Sequence, residues 1–362
     1  MGLRIENLRR EFGELVAVKD LNLTVETGEF VSLLGPSGCG KSTTLNMIAG
    51  LLHPTSGRIF IDDVLVNELS PRDRRVGLVF QNYAVFNYMT VYDNLAFGLK
   101  LRKTPKNEID KQVKEVADFL RIADVLKKRA GGLRLDQLQR IAIGRSMVVK
   151  PSLFLLDEPL SNLDPALRAV MRVELKKMQK ELKQTVMYVT HDQLEAMTMC
   201  ERVAVMNKGE LQQYDTPTVI YHHPKNRFVA NFIGSPSMNF LDCSLVEKDG
   251  KALLDAGAFT LDITHLHEIV RAQATGTELV MGVRPEDIEI MNQPSGADSV
   301  PTSVYLVEQL GAKSLVSMSL GNTIIKALTP GGFRADVGET KWIRYQRDKI
   351  HIIDKKTGKV AV

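Results

Sequence analysis

The nine residues from Gly35 to Thr43, GPSGCGKST, constrain this chain more than any other stretch. They fit the pattern GxxxxGK[ST] and stand between two readable elements. Glu29 to Leu34 (EFVSLL) reads as a buried strand. Leu45, Ile48, Ala49 and Leu52 then recur at helical spacing, in a helix expected to end at Pro54 and Gly57. A glycine-rich turn in that position folds tightly, so its N–H groups and the helix N-terminus point at phosphate oxygens. Gly35, Pro36, Ser37, Gly38, Cys39, Gly40, Lys41, Ser42 and Thr43 are therefore candidate phosphate-binding positions. Lys41 would reach the outer phosphates, and Ser42 would place its hydroxyl on Mg2+.

The first 235 residues alternate short apolar runs with amphipathic stretches, the pattern of an α/β domain with a mostly parallel sheet and crossover helices. Further strands are expected at Leu153 to Leu156, Thr185 to Thr190 and Val203 to Met206. Leu167, Met171, Leu175, Met178 and Leu182 mark one face of a helix between the first two of these. Residues from about 86 to 150 read as a mostly helical inserted subdomain. After Gly234-Ser235-Pro236-Ser237 the texture changes to short alternating stretches, among them Thr302 to Val307, Ser314 to Ser319 and Ile350 to Ile353. Residues 236–362 are thus expected to form a small all-β barrel.

Two carboxylates, Asp157 and Glu158, follow the apolar run LFLL and so emerge where open α/β sheets bind their ligands. Asp157 would bind Mg2+, directly or through water, and Glu158 would polarise an attacking water. Gln81 follows Val76 to Phe80, and His191 follows TVMYVT. A lone glutamine or histidine at a strand end is more often structural than functional. In a parallel sheet, however, all these ends open on one edge, and the shared location makes both residues site candidates.

Composition excludes several classes. The 47 basic and 43 acidic residues are spread along the chain and leave a net charge of +4, without the basic stripe expected of a nucleic-acid partner. Cys39, Cys200 and Cys243 are too few and too scattered for a disulfide framework or a metal cluster. MGLRIENLRREFG lacks the apolar core of a signal peptide, and no apolar run approaches the ~20 residues that span a bilayer. Any role in transport would then require docking onto other chains.

Taken in order, these motifs resemble those of the ABC-transporter ATPase family over essentially the whole chain. The resemblance implies ATP as ligand, with Phe12 (in EFGELVAV) stacking on adenine, and Gln81 sensing Mg2+ and the membrane subunit. LFLLDE matches the Walker B strand, SNLD at 161–164 the D-loop, and His191 the switch histidine that reads the γ-phosphate. Residues 81–99, QNYAVFNYMTVYDNLAFGL, look like the patch that grips the membrane subunits. MGVRPEDI at 281–288 and KWIRYQRDKIHIID at 341–354 are similar to the oligonucleotide-fold (OB) regulatory domain of maltose-type importers. Glycerol and glycerol phosphate importers belong to the same group, and polyamine, sulfate and iron importers carry related barrels. A carbohydrate or small polyol is the expected cargo. The implied partners are two permease subunits and, indirectly, an extracytoplasmic solute-binding protein, with the chain on the cytoplasmic face of the cell membrane.

One motif departs from the family pattern. The signature LSGGQxQR is matched by Leu133 to Arg140, LRLDQLQR, with register fixed by the tail QLQRIAIGR. Arg134 replaces the serine, and Leu135 and Asp136 replace the two glycines whose amides cap the γ-phosphate held by the opposite subunit. Asp136 carries a charge that repels phosphate, which Arg134 can offset by pairing with Asp136 or with the phosphate. The expectation is a heterodimer with a second ATPase whose signature is intact, favoured over a homodimer that would carry two altered sites. A regulatory ATP-binding subunit with weak turnover stays open as the alternative.

Overall fold

The structure, a computed structural model of the chain, describes residues 2–296 and 298–362. It divides into two compact units, Met1–Pro217 and Thr218–Val362. The change in sequence texture falls later, after residue 234. Residues between the two boundaries bond to the second unit, as when Val360 N donates to Lys225 O at 3.1 Å.

In the first unit, β1 (Leu3–Phe12) and β2 (Leu15–Val25) form a hairpin, and β3 (Phe30–Leu34) leads through the glycine turn into α1 (Lys41–Ala49). Next come β4 (Ser56–Ile61), β5 (Val64–Leu65) and β6 (Val76–Val79), then α2 (Val91–Leu101), α3 (Lys106–Phe119) and α4 (Leu135–Met147). The unit closes with β7 (Leu153–Asp157), α5 (Pro165–Leu182), β8 (Thr185–Thr190), α6 (Gln193–Met199), β9 (Arg202–Asn207) and β10 (Glu210–Asp215).

Six strands form one sheet in the order β10-β9-β3-β8-β7-β6, parallel except at the β9–β10 hairpin. All residues of β3 and β8 are buried, which explains why they read as unbroken apolar runs. A second, antiparallel sheet has the order β2-β1-β4-β5. Leu3 and Ile5 from that sheet, Leu45 and Ile48 from α1, and Leu33, Leu155 and Val189 from the parallel sheet share one core. Register then brings the strand ends level: Leu34 pairs with Thr190, Val189 with Asp157, and Leu156 with Val79.

One helix boundary and one helix face differ from expectation. α1 ends at Gly50, which adopts the left-handed conformation (φ 80) and returns its N–H to Asn46 O and Met47 O. Glycine takes that conformation without a Cβ penalty, so the helix stops before Leu52 and well before Pro54. On α5, Met171, Leu175 and Met178 are buried as expected, whereas Leu182, in the last turn, is 39% exposed. The helical insertion is held by close packing. A Cβ on Gly144 of α4 would lie 2.6 Å from Leu95 Cδ2 on α2.

The second unit opens with short helices at Pro217–His222 and Arg227–Phe232 and continues as two five-stranded antiparallel sheets. One holds Thr260–Asp262, Lys251–Asp255, Asn239–Lys248, Glu278–Val283 and His351–Asp354. The other holds Ile288–Met291, Thr340–Tyr345, Val300–Gln309, Lys313–Leu320 and Thr323–Pro330. Leu241, Leu279 and Met281 from the first and Val316, Ile325 and Ile343 from the second pack into a common core. This is the curled antiparallel barrel that the alternating stretches imply. Among the described residues, no helix is long and apolar enough to cross a membrane.

Candidate functional site

The glycine turn is shaped by its neighbours. A Cβ on Gly35 would lie 2.3 Å from Met206 O, and one on Gly40 would lie 2.4 Å from Ala17 O. Gly38 and Gly40 both have positive φ, 77 and 103, which L side chains rarely adopt. Gly40 is the N-cap of α1 and offers no side chain, so the amides at the helix start have no side-chain cap. Lys41 is buried and curls over the turn, donating to Gly35 O at 2.8 Å and Pro36 O at 3.0 Å. The result is a turn of amide dipoles with one ammonium folded over it, a set of positive charges that favours phosphate oxygens. Ser37 and Gly38 face solvent, whereas the Cys39 side chain is buried in the core. Burial pushes its thiol above the usual range despite Lys41. Only the backbone of Cys39 is therefore placed to serve a ligand.

The carboxylates stand beside this turn. Ser42 Oγ donates to Asp157 Oδ1 at 3.1 Å, which ties the start of α1 to the end of β7. Burial raises the Asp157 carboxyl above its ordinary value; the Ser42 hydrogen bond and Lys41 oppose this, and the Glu158 charge adds to it. Glu158 has a positive φ of 44, and its N–H donates to Val189 O at 3.0 Å. That unusual backbone turns the carboxylate across the strand ends instead of along β7. Glu158 Oε2 lies 3.1 Å from His191 Nδ1 and accepts from Gln81 Nε2 at 3.4 Å. Glu158, His191 and Gln81 thus meet at one oxygen, although they come from three different strand ends.

The tetrapeptide 161–164 supplies the supports. Gln81 Nε2 also reaches Ser161 Oγ at 3.3 Å, Ser161 Oγ donates to Glu158 O at 2.9 Å, and Asn162 Nδ2 donates to Gln81 O at 2.9 Å. Beneath His191 lies a buried trio in which Tyr188 and Thr190 both donate to Glu195 Oε2, at 2.8 and 2.6 Å. Phe12 sits apart at the end of β1, 46% exposed, with the Arg10 guanidinium 4.5 Å from its ring centroid. The oxygens of Ser42, Asp157 and Gln81 are the hard donors that Mg2+ prefers, and Ser42 and Asp157 are already adjacent.

Arg134 caps α4 from the N-cap position, and its N–H donates to Gln137 Oε1 at 3.3 Å. Its guanidinium grips Asp136 in bidentate fashion, with Nε to Oδ1 at 3.0 Å and Nη2 to Oδ2 at 2.7 Å. These bonds hold the Asp136 carboxyl below its ordinary range. Of the two pairings open to Arg134, the one with Asp136 is therefore made within this chain.

Residues 18–161 match the ABC transporter family model, residues 234–288 the MalK OB fold domain, and residues 281–353 the TOBE domain. The trehalose/maltose import ATP-binding protein MalK of Thermococcus litoralis is 46% identical, with 99% of each chain covered. The chain belongs to the ABC transporter ATPases. Another member, the sn-glycerol-3-phosphate import ATP-binding protein UgpC of Salmonella typhi, is 42% identical with 99% of each chain covered. Among solved ABC cassettes, a post-hydrolysis dimer of MJ0796 bound to ADP and Pi aligns with a TM-score of 0.53 at 31% identity. That alignment covers 59% of this chain and 98% of MJ0796. CbiO1 of Clostridium perfringens aligns at 0.57, also 31% identical, over 60% of this chain and 89% of its own.

Within this ABC ATPase, sequence reasoning passed over three supports. Arg74, fully buried, donates to Met47 O, Ile48 O, Leu69 O and Asn67 O at 2.7–3.1 Å and so closes the far end of α1. Arg140 pairs with Glu174 at 2.6 Å between α4 and α5. Glu195 underpins the His191 turn. A cation after an exposed turn and a carboxylate inside a helix carry no local signal of burial; the ELSPRDRR run hides Arg74 among charged neighbours.

Proposed function

We propose that this ABC ATPase energises the import of a carbohydrate or small polyol, with ATP hydrolysed at the convergence of Lys41, Ser42, Asp157, Glu158, Gln81 and His191. What carries the solute class is end-to-end similarity, at 46% and 42% identity, to relatives named for trehalose/maltose and sn-glycerol-3-phosphate import. In this reading the amides of residues 35–43 and Lys41 bind the phosphates, and Phe12 stacks on adenine. Ser42 and Asp157, with Gln81, would hold Mg2+, which supplies charge neutralisation on the phosphate oxygens. Glu158 accepts the proton of the attacking water. His191 and Gln81, both on the Glu158 oxygen, orient that carboxylate and contact the γ-phosphate.

Two ATPase subunits close over ATP and thereby move two permease subunits at the cytoplasmic face of the cell membrane. A solute-binding protein outside delivers the cargo. ATP drives closure because it binds the closed arrangement better than the open one. The contact with the permeases is assigned to residues 81–99 and their surroundings. There, Tyr88 is 71% exposed and lines a cavity of about 520 Å³ with Phe97, Lys100 and Leu101. The uneven heterodimer expected from LRLDQLQR finds no support, since MalK- and UgpC-type ATPases usually pair as homodimers. A homodimer is the reading adopted, with Arg134 and Asp136 in both signatures.

The test is purification of the tagged chain from native membranes with everything that accompanies it. ATPase activity of the reconstituted complex is then measured with trehalose, maltose and glycerol 3-phosphate, each presented with its binding protein. Stimulation by one of these supports the solute class. Stimulation only by a polyamine, sulfate or iron would overturn it, and a second ATPase species would restore the heterodimer.

A further inference from the structure

Arg284, from the MGVRPEDI motif, is 3% exposed in the second unit, yet no carboxylate forms an ion pair with it among the described residues. Its Nη1 donates to Ile233 O at 2.8 Å, its Nη2 donates to Tyr221 O at 2.6 Å, and the guanidinium lies 3.7 Å from the Tyr221 ring centroid. The remaining nitrogen, Nε, is shielded from solvent and has no hydrogen-bond partner. Burying a cation is costly and an unused N–H on it adds to the cost, which the nearby Glu286 and Asp287 charges offset only in part, since burial still lowers the Arg284 pKa.

Arg284 lines a cavity of about 370 Å³, within the range of about 300–1,000 Å³ typical of small-ligand sites. Its other walls include His222, His223, His351, Lys349, Asp287 and Asp348. His222, His223 and Lys349 are exposed, which puts them at the rim, with Arg284 inside. The cavity's field is felt by its own members. Burial, and then the Arg284 and His223 charges, bring His351 down to about 4, so at neutral pH it is an uncharged hydrogen-bonding group.

We propose that this cavity is an anion site that takes a phosphate group, either free or esterified to a small polyol. Arg284 supplies a fixed guanidinium, and the exposed Lys349 and His222 supply a second cation and a further hydrogen-bonding group at the rim. A tetrahedral phosphate uses donors from several directions better than a flat carboxylate does, and Arg284, Lys349 and His222 reach this wall from three separate segments of the chain. Asp287 and Asp348 on the same walls accept hydroxyl hydrogens, which suits a polyol ester. This site is separate from the glycine turn of the first unit and makes no use of ATP.

The experiment titrates the full-length chain with inorganic phosphate and, separately, with glycerol 3-phosphate at pH 7, read by calorimetry. Lys41→Ala is present throughout to weaken competing binding at the glycine turn. One saturable site is expected, weakened about tenfold or more when His222→Gln and Lys349→Ala are added. Both rim residues are exposed, so a thermal melt of the variant should match its parent. Tighter binding of the ester would assign the site to polyol phosphates, and equal binding would assign it to free phosphate. No binding, or binding indifferent to the rim substitutions, overturns the proposal. Neither result bears on the ATPase reading, which hydrolysis measures independently.

Discussion

Arg134 lays Nε and Nη2 on the two carboxylate oxygens of Asp136, at 3.0 and 2.7 Å, at the mouth of α4. A signature that would present bare amides to phosphate here presents an anion already neutralised by its neighbour. The Asp136 side chain is 12% exposed while that of Arg134 is 77% exposed, so the cation is the outer member of the pair. A γ-phosphate approaching from a second subunit would meet Arg134 before Asp136.

The arrangement predicts opposite effects for two variants. Arg134→Ala leaves the Asp136 carboxylate alone at the helix mouth, and ATP-driven dimerisation should weaken by about tenfold. Replacing Arg134, Leu135 and Asp136 together by Ser, Gly and Gly should tighten it. Sedimentation with ATP in a Glu158→Gln background reads both. Tighter dimers from Arg134→Ala would show that the pair obstructs closure instead of supporting it.

Glu158 receives both His191 and Gln81 on one oxygen, so in the proposed mechanism its removal takes out the proton acceptor and leaves the phosphate cradle intact. Glu158→Gln should lower turnover of the assembled transporter by about 10²–10⁴-fold with ATP affinity unchanged. ATP hydrolysis and nucleotide binding, measured on the same preparation, test this. Unchanged turnover would move the base elsewhere.

The readable parts of this molecule are those where chemistry needs a local pattern. GPSGCGKST announced its own strand and helix, and LFLLDE placed both acids at a strand end before any tertiary information. Gln81 and His191 became candidates only through the rule that parallel strand ends share an edge, and the common register of β6, β7, β3 and β8 bears out the shared edge. What stayed hidden depends on the partner surface. Gly50 and Pro54 are both plausible helix stops, and only the Gly50 bonds to Asn46 and Met47 decide between them. Leu182 fits the α5 pattern but lies beyond the core, which periodicity alone does not reveal. Arg284 stood in a quoted motif, yet nothing around it in sequence says that it is buried.

Arg74 illustrates how far from the site its support extends. It holds the last carbonyls of α1, and a Cβ on Gly50 would come within 2.6 Å of its Nε. Arg74→Met would leave several buried carbonyls without donors and should cost about 3 kcal/mol of stability. Gly50→Ala should also destabilise, through both its positive φ and the clash with Arg74. Chemical denaturation of the full chain checks both; a Met variant as stable as the parent would mean that water replaces the guanidinium.

The last prediction concerns pH and the second unit. His351 is held at about 4 by burial, with the Arg284, His223 and His222 charges adding, against an ordinary 6.5. Below pH 6.5 the unfolded chain therefore binds a proton that the folded chain refuses, and stability falls as pH drops towards 4. The full effect is on the order of 3 kcal/mol, less whatever solvent screening removes. Asp287, raised by burial with the Glu286 charge adding, acts in the opposite sense, but only as pH enters the carboxylate range. His351→Gln removes the histidine proton from both states, so its melting temperature should stay flatter than wild type between pH 7 and 5. A wild-type melt equally flat over that interval would mean that His351 takes up its proton in the folded barrel, despite its burial and the repulsion of the Arg284 charge.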